Sequence, residues 1–206
     1  MIIIRFCKSC DYDTLKLSFL QAKGRSNMFY ISDIQISKPA EFKTSLQKQT
    51  YHVLDQLKIK FERVDTDEAI TMDDCILINE KLDMKMVKTL FLCNRKKTLF
   101  FLFVTTGNKV FHASAFSNAI GCSRVSFAPE DLMTEMLGTK IGAATVFSAI
   151  NDLDGDIHIV IDQDVADEEY YGCSDGTTTC YLKIKTDDIL NKFLPYAKHK
   201  PYIIQV

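Results

Sequence analysis

Apolar positions mostly three or four residues apart after Pro39, at Phe42, Leu46, Tyr51, Val53, Leu54 and Leu57, predict an amphipathic helix opened by a proline. Residues 59–65 then alternate apolar and charged, the pattern of a strand with one buried face. Three apolar, β-branched or aromatic runs follow at 87–93, 99–105 and 110–112. Polar turn-forming groups at 94–97 and 106–109 separate them, which predicts an antiparallel meander. A helix is expected over 113–120, stopped by Gly121. Another is expected over 129–137, with Pro129, Glu130 and Asp131 at its start and Gly138 just past its end. Further strands are expected at 157–161, 177–184 and 202–206, and Thr186-Asp187-Asp188 can cap a helix running to about residue 193. Residues 1–6 read as a short strand, and the stretch to Lys38 is mixed and suggests no fold. The sum is α+β: a mixed, mainly antiparallel central sheet with flanking helices, and a boundary near residue 39.

A chain of 206 residues fits one domain with at most a small appendage. Its 47% hydrophobic and 25% charged residues are enough to bury a core, so low-complexity and fibrous readings fall away. The longest apolar run, 98–104, is far too short to span a membrane, and Arg5 interrupts residues 1–4 before a signal-peptide core develops. A cytoplasmic protein is expected, its seven cysteines reduced. The net charge of −2 gives no general attraction to nucleic acid. Residues 1–60 nevertheless carry ten Lys/Arg against five Asp/Glu, while the remainder carries 15 against 22. Any RNA contact must therefore be a local basic surface, and Lys8, Lys16, Lys23, Arg25, Lys38, Lys43 and Lys48 are its first candidates.

Familiar chemistry is scarce. Cys7 and Cys10 have the spacing of half a zinc site, but no second pair completes the tetrahedron. Cys173 and Cys180 read as buried thiols. The 152–156 stretch, rich in aspartate, places Ile157 and Gln163 where a calcium loop needs Gly and Glu, so it reads as a polar turn. The four histidines show no triad or metal spacing, and neither a Gly-x-Ser-x-Gly elbow nor a glycine-rich phosphate loop is present. No metal and no cofactor are expected. Two features stand out. Lys88 lies on an apolar strand, on the face of Leu90 and Leu92, where a cation is costly unless an oxygen meets it; snorkelling at the strand end is the plainer alternative. The segment 138–145, Gly-Thr-Lys-Ile-Gly-Ala-Ala-Thr, is small enough for a ligand to approach its backbone, although an ordinary loop would look the same.

Taken together, the segments 87–97, 125–132, 136–138 and 142–152, with 159–164 falling where a strand and acidic turn are due, resemble the prolyl-tRNA editing family, the YbaK-like aminoacyl-tRNA deacylases. The resemblance covers residues 45–206 as an editing-type domain and leaves 1–44 as an N-terminal extension. It implies hydrolysis of the ester of a mischarged tRNA, in the best-known branch alanine on the proline tRNA. The implied partners are an aminoacylated tRNA and prolyl-tRNA synthetase. Lys88 falls at the family's essential lysine, and Gly142 opens its Gly-x-x-x-Pro loop, here Gly142, Ala143, Ala144, Thr145 and Val146. The implied role of the loop is to supply backbone donors to the reacting carbonyl. The implied substrate surroundings add Ser126, Asn151, Gly172 and Thr177. Two positions depart from the family pattern: Val146 replaces the usual proline, and Gly172-Cys173 with Gly176-Thr177 replaces His-Pro with Asn-Thr. These departures leave open an alternative, a non-catalytic module of the same fold that binds an amino acid or tRNA.

Overall fold

The computed structural model describes residues 29–69 and 73–206. The chain divides into a unit Met1–Tyr30 and a unit Ile31–Val206, and the second contains every element below. It begins ahead of residue 45, because Ile31 and Gln35 bridge to Thr66 and Arg63. The paired cysteines 7 and 10 and the lysines before residue 29 lie outside the described residues.

Helix α1 (Ser45–Gln56) starts later than the proline suggests. Thr44 caps it, its hydroxyl accepting from the Gln47 N–H at 3.0 Å, while the Gln47 carbonyl oxygen accepts from the Lys43 N–H. This reciprocal pairing satisfies donors that a helix start otherwise leaves exposed, and it outweighs the proline five residues upstream. Strand β1 (Phe61–Asp65) follows, then the short helix α2 (Ile76–Leu82), β2 (Val87–Asn94) and β3 (Phe100–Thr106). Helix α3 (Ala113–Ile120) ends on Gly121, whose φ of 71° supplies the left-handed turn, as the sequence predicts. After β4 (Val125–Phe127) comes α4, α-helical over Glu130–Leu132 and π-helical over Met133–Leu137, ending on Gly138 at φ 66°. A 3-10 turn (Val146–Asn151), β5 (Ile157–Asp162), α5 (Gln163–Ala166), β6 (Tyr170–Ser174) and β7 (Cys180–Lys185) complete most of the chain. A last helix, α6, runs through Thr186–Asp188, Ile189–Phe193 and Leu194–Tyr196 before β8 (Tyr202–Ile204).

The strands form two sheets. The larger has the order β4-β2-β3-β5-β8, antiparallel from β4 to β3 and parallel from β3 to β8; the smaller, β1-β7-β6, is antiparallel throughout. The α+β expectation is met. The expected meander is not, because residues 110–112 form no strand: Val110 is 71% exposed and His112 caps α3, so the chain crosses the sheet and returns as β4 on the far side of β2. Likewise the strand expected from 177 begins only at Cys180. Residues before it are folded around the fully buried Asp175, which accepts hydrogen bonds from Thr177, Gln47 and Tyr51.

The main core lies where the two sheets face each other, with Phe91, Leu102, Ile159 and Ile161 on one side and Tyr171, Leu182 and Ile184 on the other. Burying each such side chain contributes roughly 1.5–3 kcal/mol. A second cluster, with Leu92, Phe101, Phe103 and Phe116, fills the opposite face of the large sheet under α3. The sheets meet where Met86 bridges to Gly172. A side chain at Gly172 would place its first carbon 2.7 Å from the Lys85 carbonyl oxygen and from the Met84 sulfur, so only glycine allows this approach.

Candidate active site

Strand β2 is paired on its outer side only from Leu92 to Asn94, so its first half forms an open edge. A cavity of about 410 Å³ lies along that edge. Its walls are β2 from Val87 to Phe91, the loop residues Ile141, Gly142 and Ala144, Phe127 at the end of β4 with Ala128 after it, and Ser174 and Tyr181 from the small sheet. The volume lies within the usual range for small-molecule sites. Phe127 and Ile141 form an apolar rim, 61% and 57% exposed.

Lys88 is half-buried in this wall. It shares the face of Leu90 and Leu92, as alternation predicts, and its ammonium donates to the Lys109 carbonyl oxygen. Desolvation lowers its pKa below the ordinary lysine value. The acceptor carbonyl is itself held. Lys109 Nζ lies 2.8 Å from Asp162 Oδ2 and 2.7 Å from Asp164 Oδ2, and Thr105, directly across from Lys88 on β3, donates to Asp162 at 2.6 Å. Desolvation lowers the Lys109 pKa, but its hydrogen bonds to the two carboxylates outweigh this and raise it overall. A closed circuit of Lys88, Lys109, Asp162 and Thr105 thus fixes the side chain of Lys88, a residue of the cavity lining.

The glycine loop is pinned from behind. Thr139 Oγ1 and Ser174 Oγ both donate to the Ala143 carbonyl, and Thr145 Oγ1 donates to the Ser174 carbonyl at 2.9 Å. Gly142 has φ 85°, a conformation that favours glycine. Among the described residues, the N–H groups of Gly142 and Ala144 find no acceptor, whereas Ala143 N–H is spent on the Lys140 carbonyl. Cys75 also lines the cavity, but burial, with Asp74 beside it, pushes its thiol up to about 11. It is therefore a poor nucleophile at neutral pH.

The residues expected around the substrate separate into three groups. Lys88, Gly142 and Ala144 share the cavity wall. Ala143, Thr145 and Val146 are buried beneath it and act as support; Ala143 is thereby corrected as a backbone donor, since its N–H closes a turn. Val146 is the first residue of the 3-10 turn, a position where proline is favoured for backbone reasons, so the replaced proline lies outside the cavity surface. Asn151 donates to the Leu137 carbonyl at 3.0 Å and fixes the end of α4, while Ser126 is exposed on β4. Gly172 and Thr177 are not in the cavity. The first forms the seam between sheets and the second closes the Asp175 loop. Of the lysines expected to grip RNA, Lys43 donates to Thr179 at 2.6 Å. Asp152, the first residue of the rejected calcium loop, accepts the N–H groups of Asp156 and Ile157, as a turn should.

Sequence reasoning missed Phe127, Tyr181, Ser174 and the Lys109–Asp162 pair. A signal for the last existed: a carboxylate ending the apolar run 157–161 needs a buried partner.

The aminoacyl-tRNA editing domain model matches residues 71–192, more than half of the chain. The protein belongs to the aminoacyl-tRNA editing domain family. Within it, the chain is 28% identical over 116 residues to the prolyl-tRNA editing protein ProX of Acetoanaerobium sticklandii, covering 54% of this chain and 68% of the relative. It is 23% identical over 161 residues to the prolyl-tRNA synthetase associated domain-containing protein 1 of Danio rerio, covering 77% and 86%. A crystal structure provisionally assigned as a trans-editing enzyme for prolyl-tRNA synthetase superposes with a TM-score of 0.58 at 12% identity, over 80% of this chain and 99% of that one. Another, of a hypothetical protein, gives 0.59 at 12% identity, over 77% and 98%. These two establish a shared fold. The matched span contains β2, β4, β6 and β7, the strands that line the cavity. Among the described residues no helix is long and apolar enough to cross a membrane.

Proposed function

We propose that this protein is a trans-editing deacylase that hydrolyses the ester joining a small amino acid to the 3′ end of a tRNA, with alanine on the proline tRNA as the first substrate to test. The observation that carries the reading is that half-buried Lys88, its ammonium held on the Lys109 carbonyl, lines the same cavity as Gly142 and Ala144, whose N–H groups have no acceptor among the described residues. Ester hydrolysis develops negative charge on the carbonyl oxygen, and fixed donors in a partly desolvated site stabilise it without reorganising. Water adds to the carbonyl carbon, the C–O bond to the ribose breaks, and the proton lost by the water ends on the ribose oxygen. The free amino acid and intact tRNA leave. Gly142 and Ala144 meet the oxyanion, and Lys88 supplies positive charge to it or to the terminal phosphate.

Selection is by size. A synthetase pocket built for one amino acid rejects a smaller one poorly, and a second, smaller site corrects the error. The Met86, Phe91 and Met133 side of the cavity offers an apolar wall for such a sieve. The two departures from the family pattern, Val146 and Gly172, fall outside the cavity wall, which favours turnover over binding alone. The test is a discharge assay across mischarged tRNAs with wild type and Lys88→Met. Wild-type turnover lost in the variant is expected. Saturable binding without turnover of any charged tRNA overturns the enzyme in favour of the binding module.

A further inference from the structure

A larger groove, of about 870 Å³, lies away from the cavity described above, where the end of α1 and residues 36–38 meet β1 and β7. Five lysines line it, Lys38, Lys58, Lys60, Lys183 and Lys185, against two carboxylates, Asp55 and Glu62. Glu62 faces Lys183 at 3.8 Å, and that ammonium also sits 4.5 Å over the Tyr170 ring. The other four lysines are exposed and, among the described residues, none forms an ion pair. In a chain of net charge −2 this is a concentrated local excess of positive charge.

Its layout suits a repeating anion better than a single one. Tyr181, Lys183 and Lys185 occupy alternate positions of β7 and so share a face, with successive side chains roughly 7 Å apart. Tyr181 lines the reaction cavity and the two lysines line the groove, so one strand face links both. Lys58 adds a second observation. It terminates α1 in the left-handed region, at φ 53°, with its N–H on the Asp55 carbonyl and the next N–H, of Ile59, on the Leu54 carbonyl. Glycine is the usual residue in this motif, yet an exposed lysine stands here and lines the groove.

We infer that this groove holds the phosphodiester backbone of the tRNA whose 3′ end enters the cavity. The inference rests on the deacylase reading for the identity of the RNA but is tested by binding, not turnover. Phosphate contacts of this kind set affinity and orientation without reading sequence.

The experiment measures equilibrium binding of uncharged tRNA to the full chain across a salt series. It compares wild type with Lys58→Gln/Lys60→Gln/Lys185→Gln and with a charge-matched control, Arg95→Gln/Lys96→Gln/Lys97→Gln, in the exposed β2–β3 turn. The groove variant is expected to bind at least tenfold more weakly, with a log–log salt slope shallower by about 2 to 3, while the control follows wild type. Lys58→Gly separates folding from binding: it should raise the melting temperature and still weaken binding. Equal affinities for groove variant and control, or no RNA binding by wild type at low salt, overturn the inference. Discharge of an aminoacyl ester carried on a short 3′-terminal oligonucleotide is run alongside. Discharge there with unchanged tRNA binding by the groove variant removes the groove and leaves the deacylase. Weakened binding without any discharge supports the groove and removes the deacylase.

Discussion

The ammonium of Lys88 donates to the carbonyl oxygen of Lys109, the residue whose own ammonium lies 2.8 Å from Asp162. Two lysines 21 residues apart in the chain are thereby coupled through a main-chain dipole. The first is held by the backbone of the second, and the second by a fully buried carboxylate.

Replacing Lys88 with methionine keeps most of the apolar stem and removes the charge. Single-turnover discharge should fall by about 10²–10³, the usual loss when one donor to a developing oxyanion is removed. Thermal unfolding should change little or improve, because a desolvated cation is lost. A discharge rate within threefold of wild type would detach Lys88 from the chemistry.

The pH dependence follows from the direction of the Lys88 shift. Burial lowers its pKa below 10.5, so the rate above the spontaneous ester background should fall with rising pH and show its inflection below that value. Melting is a poor readout here. The depressed Lys88 contributes stability that is present above the unfolded pKa and lost as pH falls through the folded one. Lys109, with a raised pKa, contributes stability present below the unfolded value and lost as pH rises, so the two oppose. Lys88→Arg should move the alkaline limb beyond the measurable range.

Asp162→Asn keeps the shape of the side chain but leaves Lys109 with Asp164 alone. Stability should drop by about 1–3 kcal/mol, less than for a fully buried pair because Lys109 is one-quarter exposed. If Asp162 positions Lys88 through the Lys109 carbonyl, kcat should fall tenfold with little change in KM, and Asp162→Glu should restore part of it. A loss of stability with kcat intact would make the network purely structural.

Gly172→Ala tests the seam between the sheets. The added carbon must displace the Lys85 carbonyl and Met84, at a cost of about 1–3 kcal/mol in chemical denaturation. The same variant should relax discrimination between small and larger aminoacyl groups, read as a ratio of discharge rates.

Phe127 stands at the rim with one side against Phe111, ring centroids 5.7 Å apart, and is 61% exposed. An unstacked terminal base can lie on such a ring for about 1–3 kcal/mol. Phe127→Ala should therefore raise KM for charged tRNA roughly tenfold or more, whereas Phe127→Tyr should not.

Much of this architecture was legible from local signals. Gly121 and Gly138 end their helices where the pattern predicts, because a left-handed residue after an apolar run is a short-range requirement. Lys88 and the Gly142 loop each had an ordinary local explanation, a snorkelling strand-end lysine and a plain loop, and only the family resemblance singled them out. What sequence could not supply was pairing at long range. Strand β6 carries Gly172 at its centre, which erases the expected alternation, and its reason lies at Met84 and Lys85, nearly ninety positions away. Residues 110–112 look like a strand by composition, yet β2 found β4 and β3 found β5 instead. The cavity wall inherits this problem, since Ser174, Tyr181 and Phe127 reach it only through tertiary pairing.

The meeting of Met86 with Gly172 has an evolutionary corollary. Because opposing walls of the cavity belong to two different sheets, its bore is a matter of their spacing, adjustable at a distance from Lys88 and Gly142. On the deacylase proposal, repacking that one junction would let descendants of this protein admit different aminoacyl groups while leaving Lys88 and the Gly142 loop in place.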